Sequence, residues 1–287
     1  MKVAIIGGGA AGFFSAINVK ENYPNAEVVI FEKSKNLLSK IKISGGGRCN
    51  VSNGTTSIKE LSKAYPRGEK ELRKAFQVFN TKHAWQWFEA KNVALMVQSD
   101  SRVFPKSQNS QTIIDCFLSE TQGLGIKIEL GKGIKSIKQI DNKLELEFTE
   151  NTYPEMIFDK VIVAAGGSPK KEGLDWLAEL NHKIENPVPS LFTFNMPNES
   201  IKSLMGVVVD KVLVSIQGTK LKSDGPLLIT HWGMSGPAIL KLSAYGARIL
   251  SEQSYKFNVQ VNWVNIPNND LVMDELKNIV NINSHKI

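Results

Sequence analysis

Lys2-Val-Ala-Ile-Ile-Gly-Gly-Gly-Ala-Ala-Gly-Phe13 opens the chain, and Glu27-Val-Val-Ile-Phe-Glu32 follows it. The run from Lys2 to Ile6 is short, apolar and β-branched, as a strand covered on both faces requires. Glycines then lead into Phe13 to Glu21, where Phe13, Ala16 and Ile17 share one helical face. After Pro24 and Asn25 a second apolar strand, Glu27 to Phe31, ends on Glu32. The first 32 residues therefore read as strand, turn, helix and strand.

The spacing Gly7, Gly9, Gly12 fits a dinucleotide-binding turn. The first glycine permits the tight bend, the second lets a pyrophosphate reach the backbone, and the third lets helix pack on strand. The N-terminus of the helix that follows then faces the negative charge. Glu32 stands 20 positions after Gly12, where a carboxylate accepts ribose hydroxyls and disfavours a 2′-phosphate. The alternative is a glycine-rich turn without a ligand.

A second cluster, Ser44-Gly45-Gly46-Gly47-Arg48-Cys49-Asn50, cannot be a regular helix interior, because three consecutive glycines are costly there. Such a loop offers backbone N–H groups to an anion or a flat ring, and Arg48 offers a charge-assisted contact to phosphate. A plain surface loop is the competing reading. Cys49 lacks a nearby second cysteine, so it reads as a packed residue and not as half of a redox pair.

Outward from these clusters, helical patterns cover 69–92, with a break near Asn80, and 109–122. Alternating segments at 127–131, 134–140 and 143–149 read as an antiparallel meander, and Phe158 to Ala165 as a strand ending in Gly166-Gly167. Beyond Pro187 strands are expected at 189–196, 207–217 and 227–231, a helix from about 236 and another over 269–281. Two domains follow, 1–186 and a mainly β domain over 187–287.

The block Thr230-His-Trp-Gly-Met-Ser-Gly-Pro237 is a polar, aromatic turn between strand and helix. His231 is a candidate acid, base or flavin hydrogen-bond donor, against a purely structural role in the turn. His83, His182 and His285 have no comparable context. Gly131-Lys132 fails as a P-loop, because its upstream glycine is Gly125 and Gly133 replaces the required Ser or Thr. Gly233-Met-Ser-Gly-Pro237 fails as a nucleophile elbow at Pro237.

The 287 residues are 42% hydrophobic and 22% charged, the balance of an ordinary soluble protein. Apolar runs such as Val93 to Val97 fall far short of the roughly 20 residues of a membrane helix. Lys2 runs at once into a short apolar stretch and three glycines, which is no secretory leader. The expectation is a cytoplasmic protein with no membrane partner. Two cysteines and four histidines give no metal-ligand spacing. A net charge of +7 favours anionic ligands, but acidic residues interrupt the lysines throughout, which argues against nucleic acid. The basic stretch Lys33, Lys35, Lys40, Lys42 and Arg48 instead suggests a local phosphate ligand.

Taken together, the blocks at 7–12, 42–53, Arg102-Val-Phe-Pro105, Val163-Ala-Ala-Gly-Gly167 and 230–237 resemble those of the bacterial FAD-dependent oxidoreductases that include aminoacetone oxidase and the bile-acid 3-dehydro-Δ4-reductases. The resemblance implies an α/β fold: a Rossmann-like FAD-binding domain carrying an antiparallel meander, discontinuous in the family, with an inserted mainly β domain. It implies FAD held by Gly7, Gly9, Ala10, Ala11 and Gly12 at the pyrophosphate and by Glu32 and Lys33 near the ribose. Ser44, Gly45, Gly46, Gly47, Arg48, Cys49 and Asn50 would lie further along the cofactor, with Ile134, Ala165, Gly166 and Gly167 beside it. Electrons would pass from NAD(P)H or a small organic substrate through FAD to an acceptor. Two departures stand out: the family continues well beyond position 287, and its 167–182 segment is usually longer. These raise the alternative of a truncated nucleotide-binding flavoprotein remnant without efficient turnover.

Overall fold

Successive residues of the opening strand serve two different layers. In the computed structural model, which describes residues 1–150, 152–266 and 268–283, β1 (Lys2–Ile6) leads into α1 (Ala10–Asn22) and returns as β2 (Glu27–Glu32). His285 lies outside the described residues. Val3, Ile5, Val28 and Ile30 pack with Phe13, Ala16 and Ile17 of α1. Ala4, Ile6, Val29 and Phe31 pack with Leu146, Phe148 and Phe158 on the other face. Both faces are covered, which is why the two strands are apolar throughout.

The chain divides into two units, Met1–Pro187 and Val188–Ile287. In the first, four parallel strands run in the order Lys160–Val163, β1, β2, Lys127–Leu130. This corrects the expected meander. The 127–130 segment pairs in parallel with β2, Val29 opposite Lys127, because a half-exposed edge strand alternates whichever way it is paired. The meander is Ile134–Ile140, Lys143–Phe148 and Met156–Phe158.

The expected single strand over 158–165 is accordingly two. Met156–Phe158 ends the meander and Lys160–Val163 joins the parallel sheet. Asp159 between them accepts from the Lys2 backbone N–H at 2.7 Å, a tie that hydrophobicity alone does not announce. The sequence pattern also gives no sign of a small antiparallel sheet of Ser52–Asn53, Arg102–Pro105 and Leu95–Val97.

The helical stretch over 69–92 is two helices, Glu69–Val78 and Thr81–Ala90, parted at Asn80. Asn80 Oδ1 accepts from Lys82 N, and His83 Nδ1 accepts from Asn80 N, so the side chains satisfy donors that the helix start leaves open. Lys91, just beyond, donates to Glu21 of α1 at 2.7 Å and to Glu120 of the Gln111–Gly123 helix at 2.8 Å, with 12% of its side chain exposed. Burial alone lowers its pKa, but the two carboxylates outweigh burial and raise it above the ordinary 10.5. The ion pairs therefore stabilise fully below 10.5, and their contribution fades as pH climbs through the raised value. Lys91→Met should cost about 1–2 kcal/mol in urea unfolding at neutral pH, discounted for the partly exposed carboxylates. The gap between wild type and variant should close above pH 10.5.

The second unit is an antiparallel sheet in the order Phe194–Asn195, Gly233–Ser235, Lys222–Ile229, Val208–Ile216, Val259–Asn262, packed against the helix Pro237–Glu252. Of the strand expected at 189–196 only Phe194–Asn195 forms, in keeping with Pro189, which has no N–H for a ladder. The strand expected at 227–231 begins earlier, at Lys222, and stops at Ile229. The terminal helix spans Asn269–Ile282 and is capped by Asn268, whose Oδ1 accepts from Asp270 N at 2.8 Å.

Candidate nucleotide site at the strand ends

The three glycines of the opening turn meet three different environments. Gly7 donates its N–H to Phe31 O at 2.8 Å with φ +116°, and a Cβ there would stand 2.4 Å from Ala164 O. A Cβ on Gly12 would stand 1.8 Å from Gly7 O. A Cβ on Gly9 would meet nothing within 4 Å, so the backbone there is open to an approaching group. No side chain caps α1. The N–H groups of Ala10, Ala11 and Gly12 therefore fall in the first turn, where a helix leaves its donors without partners, and present a partial positive charge.

Glu32 ends β2 beside this turn. Its Oε2 accepts from Gly8 N at 2.7 Å and its Oε1 from Ser34 N at 2.8 Å. Each carboxylate oxygen has a second lone pair, so the group is fixed in orientation and still able to accept hydroxyls. A cavity of about 620 Å³ opens here at the carboxyl ends of the parallel strands. Its walls include Ile6, Gly7, Glu32, Lys33, Ile134, Ala165, Gly166 and Gly167. Open α/β sheets offer ligands a crevice at this position.

Ser44 to Asn50 line a different part of the same unit. The helix Ser39–Gly47 is regular only in its first part: Ser44 turns to ψ 149°, and Gly45, Gly46 and Gly47 take φ of +58°, +70° and +83°. Left-handed backbone in succession explains the glycines. Gly45 must also clear Phe104, whose ring would lie 2.7 Å from a Cβ, while Gly46 stays open. Arg48 holds this loop together. Its Nε donates to Gly45 O at 3.1 Å, its Nη1 to Gln108 Oε1 at 3.2 Å, and its guanidinium lies 4.3 Å over the Phe104 ring. Ser110 completes the support, its N–H donating to Gly47 O at 2.9 Å and its hydroxyl to Lys42 O at 3.0 Å. Sequence reasoning missed Phe104, Gln108 and Ser110 as supports, since each sits far along the chain from the loop it braces.

Ala10, Ala11, Ser44, Cys49 and Asn50 share a second cavity of about 440 Å³, walled further in by Phe14, Phe88 and Phe117. Gly7, Glu32, Lys33, Ile134 and 165–167 thus border the first cavity and Ala10, Ala11, Ser44, Cys49 and Asn50 the second, while Gly9, Gly12, Gly45, Gly46, Gly47 and Arg48 line neither. Lys40 links the two cavities: its Nζ lies 3.6 Å from the position a Gly166 Cβ would take. Burial pushes the Cys49 thiol up, and a hydrogen bond with Ser44 only partly offsets that, which favours the neutral thiol. Burial likewise raises Cys116, with Glu120 adding to it, to about 11.

His231 belongs to the second unit. The block that reads in sequence as one turn between strand and helix contains a tight turn, Thr230 to Gly233, then a short strand, then the helix. His231 is exposed and packs edge-on against Trp232, ring centroids 4.4 Å apart. Trp232 Nε1 donates to Thr193 Oγ1 at 3.2 Å, and a Cβ on Gly233 would stand 2.2 Å from Phe194 O. Among the described residues no cluster of three potential metal ligands occurs, and no helix is long and apolar enough to cross a membrane.

The amino-acid sequence has relatives among known proteins. The 3-dehydro-bile acid delta(4,6)-reductase of Clostridium scindens is 24% identical over 88% of this chain and 62% of its own length. A ribosomal RNA dihydrouridine synthase of Escherichia coli is 28% identical over 84% of this chain and 60% of its own. The chain thus spans about 60% of the length of these curated relatives. Among solved structures, the open conformation of a flavocytochrome c3 fumarate reductase aligns with 73% of this chain and 46% of its own, at 16% identity and a TM-score of 0.47. The pattern of the HI0933-like protein Rossmann domain matches residues 1–241, and the chain belongs to that family.

Proposed function

We propose that the chain binds FAD and takes part in flavin-dependent redox chemistry, passing electrons from NAD(P)H or a small organic substrate to an acceptor. One observation carries this reading: open backbone at Gly9, uncapped N–H groups at the start of α1 and the fixed Glu32 carboxylate stand together at the carboxyl ends of the parallel strands. These residues fit an adenosine diphosphate. When bound, FAD supplies the two-electron transfer that no side chain here performs.

The chain's own residues do the holding. The N–H groups of the first turn of α1 face the diphosphate, and Glu32 accepts the ribose hydroxyls. The exposed Lys33, Lys35, Lys40 and Lys42 add an attraction that salt screens over about 8–10 Å. Arg48 keeps the glycine loop in shape for the rest of the cofactor. His231 remains a candidate proton donor or acceptor toward the reacting groups.

The names of the two curated relatives describe a reductase and the formation of a dihydro product. They favour an acceptor reduced across a double bond. We place that acceptor among small molecules, because the lysines are interspersed with acids and not gathered into one stripe. Retention of a ribosomal RNA fragment by the purified chain at physiological salt would overturn that choice. Flavin absorbance in the purified protein, followed by anaerobic addition of NAD(P)H, tests the redox reading: bleaching supports it, and bound flavin that no donor reduces favours a nucleotide-binding remnant.

Glu32→Ala should weaken FAD by about 1–3 kcal/mol, the worth of a hydrogen bond to a charged group. Titration with FAD measures it. An unchanged dissociation constant would remove Glu32 from the site.

A further inference from the structure

We propose that Trp176 provides the face on which the adenine of the bound dinucleotide stacks, an assignment that rests on the FAD reading above. Gly9 and Glu32 account for the diphosphate and the ribose, and neither accounts for the base. The cavity at the strand ends continues past Glu32 along Lys132, Gly133 and Ile134, and along a segment that departs at Gly166 and comes back as the short helix Asp175–Ala178.

Two aromatic rings line this cavity, Phe31 and Trp176. Phe31 is 1% exposed and is packed by Phe148 at 5.3 Å and Phe158 at 5.7 Å, so the core takes up its ring. Trp176 is half-buried and packs against that same core cluster while also bordering the cavity. Its indole N–H donates to Gly173 O at 3.1 Å. The bond satisfies the ring's one polar atom and restrains its plane, leaving an apolar surface beside the cavity. An aromatic ring so held binds a base by stacking, which suits any purine because every base has a π-face.

The test is titration of the purified chain with ADP, by calorimetry and by intrinsic tryptophan fluorescence. Trp176→Ala should weaken ADP roughly 10- to 100-fold, and Trp176→Phe, which keeps a ring, should stay within roughly threefold. ADP should quench the fluorescence of the wild type, and the quench should vanish in Trp176→Phe although ADP still binds. Wild-type affinity in Trp176→Ala overturns the assignment while leaving the FAD reading intact. Equal loss in both variants also overturns it, since a structural defect and not a missing ring would then be responsible. A wild-type chain that binds neither ADP nor FAD removes the FAD reading and this assignment together.

Discussion

Gly12→Ala lowers stability by about 3 kcal/mol, the upper end of what an overpacked site costs. Helix propensity acts the other way: alanine is better than glycine inside a helix by about 1 kcal/mol. The steric term wins because the new Cβ would stand 1.8 Å from Gly7 O and 3.1 Å from Gly7 C, both backbone atoms of the turn. No side-chain rotation relieves that, so either α1 lifts from the sheet or the turn opens. Ile5 Cγ2, at 3.5 Å, closes the site from the strand side. Urea unfolding of the two proteins measures the difference, and a midpoint at or above wild type would mean that α1 does not press on the turn.

Gly9→Asp gives the opposite pattern. A side chain at Gly9 meets nothing within 4 Å, and its φ of −93° is ordinary for any residue, so the fold is expected to tolerate it. Aspartate is moreover a good N-cap, which favours α1 itself. Binding is another matter, because the carboxylate enters the space where the diphosphate meets the backbone and adds like charge at short range. FAD and ADP should each bind at least 100-fold more weakly, about 2.7 kcal/mol. Thermal unfolding together with an FAD titration checks both halves of the expectation. Retained FAD binding would show that the diphosphate does not lie over Gly9.

Residues 2–32 are legible in sequence because each feature there is local: an apolar run, a glycine spacing and a carboxylate at a strand end. The breaks at Asn80 and at the Ser44 loop are legible for the same reason, since capping residues and consecutive glycines act on their own backbone. The assignment of 127–130 to the meander fails because parallel or antiparallel pairing is decided by a distant partner, β2, and a half-exposed edge looks alike in both. The division at Asp159 is hidden because Phe158 and Val161 are both apolar but serve strands in different sheets. Arg48 reads as a phosphate ligand from its charge. Its partners Gly45, Phe104 and Gln108 give it a bracing task that only the fold reveals, because Gln108 comes 60 positions later.

On the FAD reading, the strand ends of the first unit hold the adenosine diphosphate half of the cofactor. Calorimetric titration of the purified chain with FAD, ADP and FMN separates the two halves, since FMN carries the flavin without the adenosine. FAD and ADP should both bind and compete with each other, with FMN displacing neither. Absence of FAD binding, or FMN competing as well as ADP, would contradict the claim.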